Sequence, residues 1–381
     1  MRSDLFAERI KGIQVSGIRK MFEAAPPSAI NLGLGEPDFA PPENVMHALA
    51  MAVRVNRNKY GPTAGIPELR QAVAERLRKF REDVEMNNVL INCGATQGLM
   101  VTFQSLINRG DEVLVPNPGF VLYARDVQIA RGTPVYYSLS AKNGFRPDME
   151  ELDDLVSPRT KAIVLNYPGN PTGAVISKHD AGALARFAVD NNIIVITDEV
   201  YDEIVYDHEH RSMLGTMDDL VYINSFSKTY SLTGWRIGYL ATASAIQPEL
   251  SKMQYYDIAC PPTPMQYAAL EAMKGPQDKV KERREEFRKR RDLIVRSLNK
   301  IDGFNCFVPQ GAFYVFPSFD FDMTSEALAM RILGSGVICT PGSAFGPGGE
   351  GHIRFSFANS QENIDKAMDI VGKVVSGLKR K

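Results

Sequence analysis

Ile193-Ile194-Val195-Ile196-Thr197-Asp198-Glu199-Val200-Tyr201 is the stretch that decides the fold. Its first four residues are all β-branched and apolar, with no alternation of apolar and polar positions. Such a run suits a strand covered on both faces, as in a parallel sheet flanked by helices. Working outward, comparable runs occur at Val89 to Asn92, Glu112 to Val115, Pro134 to Tyr137, Ala162 to Leu165, Val221 to Asn224 and Arg236 to Leu240. Longer amphipathic stretches intervene, among them Glu68 to Phe80, Gln97 to Asn108 and Lys178 to Asp190. Strands alternating with helices predict an α/β fold with a mostly parallel sheet.

After Pro261-Pro262 the pattern changes. A charged segment from about Gln277 to Leu298 places Val280, Phe287 and Ile294 seven residues apart, a narrow helical stripe. Glu285 with Lys289 and Glu286 with Arg290 have the favourable i,i+4 order, so the segment reads as a solvated helix face. Shorter elements follow to the end. These features predict a large domain over 46–275 and a smaller α+β domain built from 1–45 and 276–381.

Composition excludes several classes. With 381 residues and 44% apolar content, the chain can bury cores for two domains. A formal net charge of −1 argues against a nucleic-acid partner, which calls for a basic excess. The four cysteines, Cys93, Cys260, Cys306 and Cys339, form no CxxC pair. They fit neither a zinc site nor a disulfide framework, and point to a reducing compartment, the cytoplasm. No apolar run approaches the roughly 20 residues that span a bilayer, so no membrane partner is expected. Charges scattered from Met1 to Ala25 exclude the apolar core of a signal peptide.

The chemistry is written thirty residues beyond Asp198. Ser225-Phe226-Ser227-Lys228-Thr229-Tyr230-Ser231-Leu232-Thr233-Gly234-Trp235-Arg236 sets a lysine between two hydroxyls, with an arginine eight residues on. A lysine so placed can form a Schiff base with an aldehyde, and Ser225, Ser227 and Arg236 can hold a phosphate beside it. An aldehyde and a phosphate on one small molecule describe pyridoxal 5′-phosphate (PLP). The alternative, an exposed surface lysine, leaves the neighbouring hydroxyls and arginine without a purpose.

Asp198 ends its strand, and a buried carboxylate there can keep the pyridine nitrogen of PLP protonated. A helix N-cap is the competing reading, and the two roles are compatible. Tyr201, one helical step on, can bond the ring's phenolic oxygen. Asn170, in Asn166-Tyr167-Pro168-Gly169-Asn170-Pro171-Thr172-Gly173, suits the same oxygen, and its bond to Pro171 is a candidate cis peptide. An ordinary turn is the alternative there. Gly94-Ala95-Thr96-Gln97 opens a helix whose free N–H groups, with the Thr96 hydroxyl, favour phosphate. Phe120 can stack on the ring, or be a core residue. Tyr60, in Lys59-Tyr60-Gly61-Pro62, can reach a phosphate. Arg354 lies in apolar Ile353-Arg354-Phe355-Ser356-Phe357, an expensive place for a charge without an anion. It is assigned to a substrate carboxylate, with a structural salt bridge as the alternative. His208-Glu209-His210 reads as a solvated loop. Asp198 and Glu199 should point to opposite faces.

Together these motifs resemble the class I/II aminotransferases of PLP-dependent transferase fold type I. The resemblance runs from Asn31-Leu32-Gly33-Leu34-Gly35-Glu36-Pro37-Asp38-Phe39 to Arg354, through Lys59-Tyr60-Gly61-Pro62-Thr63-Ala64-Gly65-Ile66-Pro67-Glu68-Leu69-Arg70. These stretches look like the subgroup that includes prokaryotic aspartate, aromatic and broad-specificity enzymes. The resemblance implies a large domain with a mostly parallel seven-stranded sheet, and Lys228 as Schiff-base lysine and proton shuttle. It implies Asp198 on the pyridine nitrogen, Tyr201 and Asn170 on the phenolic oxygen and Phe120 on the ring. Ala95, Thr96, Ser225, Ser227 and Arg236 would bind phosphate. Tyr60 would reach the phosphate of a neighbouring subunit in a homodimer with shared sites, and Gly35, Asn170 and Arg354 would grip the substrate. The implied activity moves an amino group from an L-amino acid to a 2-oxo acid, 2-oxoglutarate foremost, by a ping-pong mechanism. A PLP-dependent cysteine-conjugate β-lyase is the alternative.

Overall fold

The computed structural model describes residues 5–13, 21 and 23–380. Residues 1–4, 14–20, 22 and 381 of the expected small domain lie outside the described residues.

Seven strands form the central sheet: β1 (Val89–Asn92), β2 (Glu112–Asn117), β3 (Thr133–Ser138), β4 (Thr160–Asn166), β5 (Ile194–Asp198), β6 (Leu220–Ser225) and β7 (Gly238–Thr242). Their spatial order is β1-β7-β6-β5-β4-β2-β3. β2, β3, β4, β5 and β6 pair in parallel, while β7 runs antiparallel to both β6 and β1. The mostly parallel seven-stranded α/β fold is therefore present. Each expected strand exists, the first with its expected ends and the others with ends shifted by up to two residues; the last begins at Gly238 rather than Arg236.

The absence of polar alternation in β5 has its predicted cause. Val195 belongs to the core cluster that also holds Leu69, Val73, Leu184 and Ala268, from helices on one face. Its neighbour Ile196 belongs to the cluster that holds Leu99, Phe103, Val127 and Leu250, from helices on the other. Both faces are buried, and each such side chain contributes about 1.5–3 kcal/mol. Helix Lys178–Asp190 starts where a capping box forms. Ser177 Oγ accepts from Asp180 N, and the Asp180 carboxylate accepts from Ser177 N.

A second core gathers around three short sheets. Ile30–Asn31 pairs in parallel with Val337–Ile338; Tyr314–Val315 and Thr340–Pro341 flank Ile353–Ser356; Phe304–Asn305 pairs with Ser318–Phe319. Helices Asp278–Leu298, Ser325–Gly334 and Gln361–Val375 cover them. Val280, Phe287 and Ile294 are all buried, as their spacing requires.

The solvated-face reading of this long helix needs correction. Arg290 and Arg291 are buried. Arg290 pairs with Asp38 at 2.7 Å and Glu286 at 2.9 Å, and Arg291 pairs with Asp207 at 2.7 Å. Their stems and guanidinium faces cover Phe39 and Tyr206. Glu285 pairs with Arg288, three residues on, rather than with Lys289. The helix is pinned to the segments that frame the cavity described next.

Candidate active site

One edge of the central sheet collects the C-terminal ends of β1, β2, β4, β5 and β6, where open α/β sheets place ligands. Because β7 runs the other way, its N-terminal end meets the same edge. Gly238 sits opposite both Asn92 and Ser225, which brings Arg236 beside the start of helix Gly94–Leu106. A cavity of about 250 Å³ opens there, closed on its far side by Gly35, Tyr314 and Arg354.

Lys228 rises from the short helix Phe226–Thr229 directly after β6. Its Nζ donates to the Gly35 carbonyl at 2.6 Å. The amine faces the cavity rather than bulk water. Burial lowers its pKa to about 8, with Glu36 opposing the shift and Arg354 and Arg236 adding to it. Asp198 is buried at the end of β5. Burial raises its pKa to about 6, although Tyr123 Oη donates to Oδ2 at 2.8 Å and Val200 N to Oδ1 at 3.3 Å. The side chain lines the cavity, and the helix N-cap reading needs correction. What Asp198 caps is a tight turn, since no regular helix follows it before Phe226. Tyr201 therefore lies in a turn, not one helical step along.

The end of the cavity expected to hold phosphate combines a helix start with polar side chains. Helix Gly94–Leu106 has no side-chain cap, so its first N–H groups lack that partner. Gly94, at φ +77, lies against the Arg236 guanidinium, and a side chain there would collide with it. Gly238 lets the chain close up: a Cβ would stand 2.8 Å from Gly94 C and 2.9 Å from Ala95 N. Ser225 Oγ donates to Ser227 Oγ at 2.8 Å, and Arg236 Nη1 donates to the Thr233 carbonyl at 2.8 Å. Ala95, Thr96, Ser225, Ser227 and Arg236 all line this end of the cavity. Thr233 in turn donates to Glu36, closing the rim.

Arg354 is 2% exposed, and no carboxylate pairs with it among the described residues. Nη1 donates to Asn170 Oδ1 at 2.9 Å; Nη2 donates to the Gly33 carbonyl and to Thr340 Oγ1. Its Nε is buried without a partner. The guanidinium lies over the rings of Tyr314 and Phe345, at 4.5 and 4.8 Å from their centroids. Burial holds its pKa below the usual value, against the pull of Tyr314 and Tyr201. The structural salt bridge is not formed.

Asn170 is held by its neighbours: its N–H donates to Asn166 Oδ1 at 2.8 Å, and Asn166 Nδ2 donates to the Asp198 carbonyl at 2.8 Å. The Asn170–Pro171 bond is cis, as are Asn117–Pro118 and Tyr167–Pro168. Phe120 and Tyr201 line the cavity. Of the expected residues, Tyr60 alone stays out of it; its side chain is 90% exposed.

Four polar lining residues carry no expectation from the sequence reading: Tyr123, Asn166, Thr233 and Tyr314. Asn166 and Thr233 stand inside the quoted motifs, and Tyr123 lies one helical turn beyond Phe120. Tyr314 comes from a remote strand, with no local signal. The solvated reading of His210 is also corrected. Glu199 does point away from Asp198, as expected. It is buried, accepting from Thr197 Oγ1 and Met213 N, and it pairs with His210 Nε2 at 2.6 Å. Burial disfavours the imidazolium, but Glu199 raises the His210 pKa above its ordinary value.

Among the described residues no group of three or more His, Cys, Asp or Glu is placed to hold a metal, and no helix is long and apolar enough to cross a membrane.

The sequence profile of the family "Aminotransferase class I and II" matches residues 27–371. A probable aspartate aminotransferase of Methanocaldococcus jannaschii is 40% identical, covering 97% of this chain and 100% of its own. An aromatic-amino-acid aminotransferase of Thermococcus litoralis is 36% identical, covering 98% and 99%. The solved aspartate aminotransferase of Thermus thermophilus with maleate superposes with a TM-score of 0.92 at 34% identity, over 98% and 100% of the two chains. The chain belongs to the PLP-dependent aminotransferases of class I and II.

Proposed function

We propose that this enzyme moves the amino group of aspartate or an aromatic L-amino acid to a 2-oxo acid, 2-oxoglutarate foremost, in two half-reactions. The observation that carries the reading is the pairing across one cavity of Lys228 with Arg354, a buried arginine without a carboxylate. The names of the relatives support aspartate and aromatic donors. The maleate of the Thermus neighbour is a dicarboxylate like the proposed acceptor. Nothing favours the β-lyase reading.

The lining fits PLP on its own terms. Among the described residues, Lys228 is the cation that acts on a buried acid of raised proton affinity, and an uncapped helix start faces an arginine and two serines. When bound, PLP supplies an aldehyde for the amine and a ring that draws off the electrons left at the substrate Cα. Lys228 holds the aldehyde, and its lowered pKa suits it to take the Cα proton and return it. Asp198 keeps a proton on the ring nitrogen, positioned by Tyr123. Tyr201 and the amide nitrogen of Asn170 donate toward the phenolic oxygen, since Asn170 Oδ1 is already used by Arg354. Phe120 covers one ring face. Ala95, Thr96, Ser225, Ser227 and Arg236 hold the phosphate. Arg354 takes the substrate α-carboxylate through its free Nε, beside Gly35 and Asn170.

The active unit is a homodimer in which Tyr60 of one protomer serves the other's phosphate site. Exposed Met46, Met51, Val53, Val55, Tyr255 and Tyr256 support an apolar interface. We place the domains at 46–275 and at 1–45 with 276–381, supported by the pairing of Ile30–Asn31 with Val337–Ile338. The four free thiols support a cytoplasmic location. Borohydride reduction of the PLP-loaded protein, followed by peptide mapping, should find pyridoxyl on Lys228; an adduct elsewhere, or none, would end the reading. A donor panel against 2-oxoglutarate then sorts aspartate from aromatic substrates.

A further inference from the structure

Tyr314 has no role in the scheme above. It stands on the strand Tyr314–Val315, far along the chain from the sheet edge, and is buried against the cavity. Its hydroxyl lies 2.8 Å from that of Tyr201, and among the described residues it has no other hydrogen-bond partner. Gly35 packs so closely on this hydroxyl that a side chain at position 35 would collide with it. The Arg354 guanidinium lies over the ring, 4.5 Å from its centroid. The Tyr314 side chain is thus fixed in place, and the rotation of its O–H remains.

The protons of this pair can be counted. Two hydroxyls carry two protons, and one of them fills the line between the oxygens. If Tyr201 donates to Tyr314, Tyr201 has no proton left for the cavity. If Tyr314 donates to Tyr201, the Tyr201 proton is released toward an acceptor in the cavity, and accepting one bond strengthens the bond it gives. Both phenols are neutral near pH 7, since burial raises both pKa values. We propose that Tyr314 is a positioning residue: by donating to Tyr201, it directs the Tyr201 proton at the phenolic oxygen of the cofactor. This rests on the assignment of Lys228 and Tyr201 under the proposed function.

The test uses four PLP-loaded proteins: unsubstituted, Tyr314→Phe, Tyr201→Phe and the double variant. The absorbance of the lysine-held cofactor is titrated over about pH 5 to 10. A hydrogen bond to the phenolic oxygen favours its anionic form, so weakening it should raise the midpoint. Tyr314→Phe is expected to raise it by a few tenths of a unit, Tyr201→Phe by more, and the double variant by no more than Tyr201→Phe. The ring and its contact with Arg354 remain in Tyr314→Phe, so the donor KM should move less than about two-fold. An unmoved midpoint in Tyr314→Phe overturns the proposal, as does an equal shift in the Tyr201→Phe background. A large rise in KM with no midpoint shift also overturns it, and assigns the hydroxyl to the substrate. Unsubstituted protein that binds PLP without lysine-linked absorbance would instead defeat the underlying assignment of Lys228.

Discussion

Asp198 and Asp202 lie four residues apart, both buried to the same degree, and reach opposite electrostatic states. Burial drives Asp198 up to about 6, because two hydrogen bonds and the charge of Lys228 do not offset the loss of water. Burial pushes Asp202 the same way, but Arg76 at 2.8 Å, aided by His210 and Lys79, brings it below the ordinary carboxylate range. Glu199, on the same side as Asp202, is likewise matched by His210. The turn therefore has one side whose charges are completed within the chain and one side that is left wanting a cation. The unmatched side faces the cavity. A fold that keeps such a group spends stability on a partner it does not contain.

The comparison can be broken or sharpened by substitution. The largest effect belongs to the cavity side: Lys228→Ala should lower kcat by about 10⁴-fold while the apo protein keeps its circular dichroism spectrum. Near-normal turnover would remove the lysine from the mechanism. Arg354→Lys keeps the charge but loses the planar fork, and should lower kcat/KM by about 10²-fold or more, read in steady-state kinetics across several donors. On the completed side, Arg76→Ala strands Asp202 in the interior. It should cost about 3 kcal/mol in urea unfolding, while the absorbance of bound cofactor stays unchanged.

The smallest effect has the most informative sign. Asp198 has its folded pKa raised above the unfolded value, so the folded state binds the extra proton. That contribution favours folding below about pH 4 and is lost as pH rises through about 6. Asp198→Asn should therefore stabilise the apo protein at pH 8 by about 2 kcal/mol, with the gain vanishing near pH 4, as followed by melting temperature. The same substitution should reduce transamination. A loss of apo stability at pH 8 would show that Asp198 is already satisfied without a ligand.

How much of this was legible depends on where each signal sits. The sheet was readable because the middles of β5 and its neighbours carry apolar side chains without alternation, a pattern forced by helices on both faces. Lys228, Asp198 and Asn170 stood out because polar residues at or just beyond the ends of such runs lie at the sheet edge, and Arg236 by its spacing from Lys228. Tyr314 did not. It comes 113 residues after Tyr201, on a two-residue strand whose neighbours are as apolar as any core. Arg290 and Arg291 were misread because helical spacing locates an apolar stripe but does not tell which flanking cations find carboxylates from other segments. His210 failed for the same reason: its partner Glu199 lies eleven residues back, and only the return of the loop makes them neighbours.

The sequence by itself determined the α/β architecture and the kind of chemistry, because strand periodicity and the reactive groups at strand ends are local properties of the chain. Only the tertiary structure decided which charges are matched and which are left open. Pairing depends on distances between segments far apart in the chain, and desolvation depends on everything packed around them.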